Sequence, residues 1–149
     1  MSKGFLMVIV TVFTSLLLFQ CMSTPADKPM IVVDKAKVDA IIKDFNVVCY
    51  SMLKGDIKTV YDKYLSASIQ ESQSYDAFVN DYNINKENYK RLFSGAMLKQ
   101  ISPEDKLASA LVVWGSGGEP SVIEFAKENN TWKINYLRGP AVVFDQNVK

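Results

Sequence analysis

The spacing of apolar side chains predicts a long helix early in the chain, after the first thirty residues. From Val38 to Leu53 these side chains recur every three or four positions, which is the period of an amphipathic helix. Asp34 precedes this pattern and can accept hydrogen bonds from the first free backbone amides. Gly55 follows it and can adopt the left-handed conformation that ends a helix. The sequence therefore predicts one helix between these two residues.

Three shorter helices are predicted next. Asp56 is positioned to cap the first of them, and residues 75–82 carry the apolar face of the second. The third starts at Asn85, where Ile84 and Tyr89 have the spacing of a hydrophobic staple. Together with the long helix, they make the first half of the folded region helical.

The period changes to two in the second half, and this period is typical of β-strands. Four strands joined by short turns are expected at residues 96–101, 107–114, 122–127 and 131–137. The face expected to pack on the helices contains Leu111, Val113, Ile123, Phe125, Trp132 and Ile134. By the same alternation, Trp114 and Glu124 are expected on the outer face. The predicted fold class is α+β, with amino-terminal helices packed on a four-stranded antiparallel meander.

The amino-terminal end has the features of an export signal. Lys3 is followed by an uncharged apolar run from Phe5 to Phe19, which is shorter than the about 20 residues that a membrane-spanning helix needs. The run has the length of the apolar core of a secretory signal peptide. Leu18 to Cys21 then resemble, at their outer positions, the box in which bacterial lipoproteins are cleaved and acylated on cysteine. Phe19 and Gln20 depart from the small residues that this box usually has.

Lipid attachment at Cys21 is the leading prediction for this segment. The cysteine directly ends the apolar run, and a proline-containing tether, MSTPADKP, follows it. Plain secretion after a cut near Ser23 and an uncleaved membrane anchor are the two alternatives. Under the leading prediction the chain divides into a signal peptide (1–20), the lipid-attachment cysteine with its tether (21–33), an α+β domain (34–138) and a carboxy-terminal tail (139–149).

Composition argues against several classes of function. The chain has 17 basic and 16 acidic residues, mixed without a basic stripe, so nucleic acid is not expected as a partner. It has no histidine and only two cysteines, so no metal site and no other cofactor is expected. Cys49 is predicted to act as a small apolar residue of the first helix. The GSGGEP stretch leads into a strand and lacks the lysine of a phosphate-binding loop, so it is predicted to be a hairpin turn.

Two stretches resemble a known superfamily. LKGDIKTVYDKYLS (residues 53–66) is similar to the opening of nuclear transport factor two-like domains, and FAKENNTWKINYL (residues 125–137) is similar to their last hairpin. With its export signal, the chain resembles the small bacterial lipoproteins of this superfamily of cystatin-like α+β cones. The resemblance implies a strongly curved sheet that wraps the helices into a cone. It also implies a pocket at the open end of the cone and an outer sheet face that often forms dimers.

Aromatic residues are the candidate contacts. Tyr61, Tyr64, Tyr82 and Tyr136 are predicted to line the mouth of the cone, or else to be core residues with hydroxyls at the rim. Trp114, predicted on the outer face, is a candidate partner contact.

The functional prediction is a lipid-anchored protein of the bacterial envelope, at the outer membrane where the cell has two membranes. Its domain is expected to bind a protein partner, a second copy of itself or a small apolar ligand. No catalysis is expected, because histidine, the usual acid–base group near neutral pH, is absent. The alternative is an envelope enzyme of the isomerase or cyclase type that uses a Tyr/Asp pair in the cone.

Overall fold

A computed structural model describes residues 34–117, 119–138 and 143–144, so the signal segment, Cys21 and most of the tail lie outside the described residues. The helices are α1 (Lys35–Lys54), α2 (Ile57–Thr59) with the π-helical turn Val60–Tyr64 after it, α3 (Ala67–Ser72) and α4 (Tyr75–Phe93). The strands are β1 (Met97–Pro103), β2 (Leu107–Val113), β3 (Ser121–Glu128), β4 (Thr131–Arg138) and β5 (Val143–Phe144). They form one sheet in chain order, with antiparallel neighbours. The α+β class is confirmed.

The first helix has the ends that the sequence predicts. The Asp34 carboxylate accepts a hydrogen bond of 3.2 Å from the Lys37 amide, and Gly55 has the left-handed φ of 78°. Phe45 on the inner face of α1 packs edge-on against Phe125 of β3, with ring centroids 6.4 Å apart. Capping and the apolar stripe therefore act together to place α1 against the sheet.

The later helices agree with the prediction in part. The two helices expected here are continuous as α4, but the helical backbone is interrupted at Asn85 (φ −106°, ψ 15°), where the second of them was predicted to start. The Asn85 side chain donates to the Asp81 carbonyl and carboxylate at 3.2 and 2.9 Å, so it bridges the kink. Ile84 is 73% exposed and does not form the predicted staple with Tyr89. The short helix α3, which the sequence pattern did not predict, is capped by the Ser66 hydroxyl.

The inner face of β2 is the opposite of the predicted one. Ala110 pairs with Ile123 and lies on the buried side, whereas Leu111 pairs with the exposed Val122. Because directly opposed residues share a face of the sheet, Leu111 and Val113 lie on the outer face, and assigning them to the core was wrong. The buried alternate positions also include Trp114, which directly follows β2. Its side chain has the largest apolar area in this stretch, so its burial favours this face as the inner one.

Trp132 is buried, as predicted, with 2% exposure. Its backbone amide donates to the Asp44 carboxylate of α1 at 2.8 Å, so the first helix and β4 are connected by a polar contact beside the core. Glu124 of β3 is exposed on the outer face, which is also as predicted.

Both sides of the sheet end in irregular backbone. The β1–β2 ladder has a register shift between Lys99 and Ser102, and Gln100 within it has a positive φ of 48°. On the other side, Ser66 donates to the Ile134 carbonyl of β4 at 2.9 Å, and β5 pairs with the end of β4. Within the described ranges, no helix is long and apolar enough to cross a membrane.

Candidate interaction surface

Tyr82 is an interior residue. It is buried, its hydroxyl donates to the Met52 carbonyl at 2.9 Å, and its ring stacks on Tyr89 with centroids 5.6 Å apart. The carbonyl of Met52 lies near the end of α1, so the hydroxyl ties α4 to that helix. Its predicted role as a ligand or partner contact does not fit this burial, whereas the core interpretation does.

Tyr61 and Tyr64 lie on the π-helical turn and are half-buried. The Tyr61 hydroxyl donates to the Gln73 carbonyl at 2.7 Å and thus ties this turn to the end of α3. Burial, followed by the negative charge of Asp44, raises the pKa of Tyr64 above its usual value. The Tyr64 phenol is therefore held in its neutral form at neutral pH.

A Tyr/Asp pair exists, but it spans the kink of α4. The buried Tyr89 hydroxyl donates to the Asp81 carboxylate, and the same carboxylate also accepts from Asn85. Burial and the hydrogen bond to Asp81 raise the pKa of Tyr89. All three side chains belong to α4. Their hydrogen bonds satisfy polar groups at the kink, where the regular helical hydrogen bonds are interrupted.

Trp114 is not the exposed contact that the alternation predicted. It is 2% exposed, and its ring packs edge-on against Phe93 at 5.5 Å. Its indole N–H donates to the Ser121 hydroxyl at 3.0 Å. Trp114 directly follows β2, and its side chain points to the buried side of the sheet, where it contacts the end of α4. It is therefore not accessible to a partner.

Tyr136 lies on the outer face of the sheet. It is directly opposed to Glu124 in the β3–β4 ladder, and opposed residues point to the same side. Its predicted position at the mouth of the cone is therefore wrong. The structure separates Tyr136 from the three tyrosines on the helical side, and of the predicted contact residues it alone lies on this outer face.

The outer face carries exposed apolar side chains. Met97 of β1, Leu107 of β2 and Val122 of β3 are 52%, 53% and 47% exposed. Leu111 and Val113 lie on the same face and are half-buried. The solvent side of an antiparallel sheet is usually polar, so this concentration of apolar residues is typical of a contact surface. We call it the outer apolar face.

A depression lies beside this face, with a volume of about 210 Å³. It is lined by Glu104, Leu107, Ala108, Ser109, Glu124, Phe125 and Asn135. The β3–β4 register shifts between Glu124 and Phe125, which makes Asn135 a bulge residue without an opposed partner. Ser109, which has a small side chain, and the bulge residue Asn135 therefore both border the depression.

Sequence reasoning did not find the depression. The strand pattern placed Glu124 outward, but nothing local indicated that Glu104, in the β1–β2 turn, lies beside it. For the outer apolar face, Val122 was a usable signal in the sequence, because it alternates with the inward residues Ile123 and Phe125 and so has the phase of an outward residue.

Other chemistry is not supported in the described part of the chain. Burial raises the pKa of the Cys49 thiol to about 12, so the reactive thiolate is suppressed. No group of three or more Cys, Asp or Glu side chains in the described ranges is arranged to hold a metal ion. The outer apolar face and its depression are features that can recognise another molecule.

No protein-family model matches the chain, and no curated protein matches it.

Proposed function

We propose that this chain is a lipid-anchored bacterial envelope protein whose α+β domain binds a protein partner through the outer apolar face. The observation that carries this proposal is the exposure of Met97, Leu107 and Val122 on one side of a sheet whose other side is already covered. Fully desolvated apolar and aromatic side chains supply most of the energy at protein interfaces. The resemblance to nuclear transport factor two-like lipoproteins supports the same face, and it makes a second copy one candidate partner.

A protein partner is favoured over a small apolar ligand in the cone. The space between the helices and the sheet is filled by large rings that are almost fully buried. These include Phe45, Phe78, Phe93, Trp114, Phe125 and Trp132. A ligand at that place would have to displace packed aromatic side chains, whereas the outer apolar face is open.

The proposal does not include catalysis. Asp81 and Tyr89 form the closest Tyr/Asp contact in the described ranges, and their hydrogen bond is shared with the kink of α4. Tyr89 is buried and its pKa is raised, so it does not exchange a proton readily near neutral pH. An isomerase or cyclase would need such a pair beside an open site.

Lipid attachment at Cys21 is expected to be detectable on the membrane-extracted protein. Mass spectrometry of the amino-terminal peptide should show diacylglycerol on a peptide that begins at Cys21, because this cysteine directly follows the apolar run. The Cys21→Ser variant should lose the modification. A free amino terminus at Ser23 or Thr24 would contradict this prediction.

Partner binding can be tested by site-specific photocrosslinking of the full chain in its host. With photoreactive benzoylphenylalanine at position 122, a crosslinked adduct of defined mass is expected, because Val122 lies within the outer apolar face. Ile84 is a matched control, since it is more exposed but lies on α4. Equal adducts from both positions, or none from position 122, would contradict the proposal. An adduct of twice the chain mass identifies a second copy.

A further inference from the structure

The depression contains two carboxylates with no partner. Glu104 and Glu124 both line it, and among the described residues neither side chain takes part in an ion pair or a hydrogen bond. Glu104 lies in the β1–β2 turn, which its amide closes by donating to the Leu107 carbonyl at 2.8 Å. Glu124 lies on β3, opposed to Ser109. Two negative charges thus face one small volume from different elements.

Lysines of the neighbouring elements form no ion pair with either glutamate. Lys133 of β4 pairs with Glu128 at 3.2 Å. Lys37 donates to the Glu104 backbone carbonyl, also at 3.2 Å, and lies 4.0 Å from the Asp34 carboxylate. Lys99 of β1 and Lys106 of the β1–β2 turn take part in no ion pair within the described residues. The two carboxylates of the depression are therefore without a direct cationic partner in the described part of the fold.

The surroundings of the carboxylates are partly apolar. Leu107 is exposed at the rim, whereas Ala108 and Phe125 line the depression from strand positions whose side chains are buried on the inner face. Asn135 and Ser109 add neutral hydrogen-bonding groups. A long side chain with an apolar stem and a cationic end matches this combination, because the stem can pack on Leu107 while the cation reaches the glutamates.

We propose that the depression receives an arginine or lysine side chain of the protein partner, and that apolar residues flanking this side chain pack on the outer apolar face. This inference rests on the proposed function, since it names the chemistry of the partner at the same surface. Charge complementarity of this kind fixes the register of an interface and favours one partner over others. The partner is therefore a polypeptide with a basic residue between apolar ones.

The test uses the full-length, detergent-solubilised protein and the blocked tripeptide acetyl-Val-Arg-Val-amide as the probe. Its neutral match, acetyl-Val-Gln-Val-amide, is the control probe. In a titration followed by amide chemical shifts, the arginine peptide is expected to shift the signals of Ser109, Glu124 and Asn135, and to bind more tightly than the neutral peptide. The Glu104→Gln, Glu124→Gln double variant should weaken its binding about tenfold, the sum of two partly exposed charge contacts.

A second double variant controls for net charge. Glu71→Gln with Glu119→Gln removes the same charge from exposed positions that do not line the depression, and it should leave the binding unchanged. Equal weakening by both double variants would overturn the inference, because it would indicate only long-range attraction. Equal binding of the two peptides would also overturn it, as would tighter binding of free 1,4-diaminobutane, which would assign the depression to a small cation.

The photocrosslink at position 122 separates the two proposals. If the adduct persists in the Glu104→Gln, Glu124→Gln variant at the wild-type yield, the partner binds the outer apolar face without using the depression, and only this inference fails. If no adduct forms at position 122 while the arginine peptide still binds, the depression recognises a cation and the proposed function fails.

Discussion

Replacing Trp132 by alanine is expected to lower the free energy of unfolding by about 3–5 kcal/mol. The side chain is 2% exposed and lies among the largest buried residues of the fold. Its removal leaves a cavity between β4 and the helices, because the surrounding close-packed side chains can relax only partly. The Trp132 backbone, held to Asp44 at 2.8 Å, opposes collapse of β4 into that space. Denaturant unfolding followed by circular dichroism gives the value.

Tyr50→Ala is the matched control for this experiment. Tyr50 is an aromatic residue of α1 that is 64% exposed, so its truncation should change the free energy of unfolding by no more than about 0.5 kcal/mol. A loss below about 1 kcal/mol for Trp132→Ala would show that Trp132 is not a core residue.

Gly115→Ala is expected to destabilise the fold by about 3 kcal/mol or more, at the upper end of the range for overpacking. A Cβ at this position would lie 1.4 Å from the Ser94 carbonyl oxygen, which belongs to the backbone and cannot move aside as a side chain does. The Gly115 amide also donates to the Leu92 carbonyl at 2.9 Å. Relief of the clash would therefore break the contact that joins the β2–β3 loop to the end of α4.

Gly117→Ala provides the comparison within the same loop. Gly117 has a left-handed φ of 74°, but nothing lies within 4 Å of a Cβ placed there. Its substitution should cost only the backbone strain of an alanine in this conformation, about 1 kcal/mol. Thermal unfolding of the two variants measures the difference. Equal losses would mean that the close approach of Gly115 to α4 does not limit stability.

Local sequence signals predicted the elements well where capping and periodicity agree. Asp34 and Gly55 bound an apolar stripe of period 3.6, and α1 has these limits. The alternation from Ile123 to Phe125 also identified its inner face, because a charged Glu124 lies between two large apolar residues. Where a charged residue alternates with large apolar ones, only one face of the strand can be buried in the core.

The face of β2 could not be predicted in the same way. Both phases of this strand are apolar, so alternation gives no preference between Leu111 and Val112. The face of β2 that points inward depends on its pairing register with β3, and the sequence of the long connection between the two strands does not determine that register. Because the inner face of β2 was assigned wrongly, Leu111 was predicted inside and Trp114 outside. The depression was inaccessible to sequence reasoning because it joins a turn, two strands and the bulge at Asn135.

The irregular sides of the sheet have a consequence for contacts between copies of the domain. A regular edge strand offers unpaired amides and carbonyls to any neighbouring strand, and polymerisation often starts there. Here β1 has its register shift next to Gln100 and ends at Pro103, which has no amide hydrogen. On the other side, Ser66 and β5 occupy groups of β4. Under the proposed lipid anchoring, copies of the domain at high density are therefore expected to resist edge-to-edge fibre growth and to meet through the broad side of the sheet.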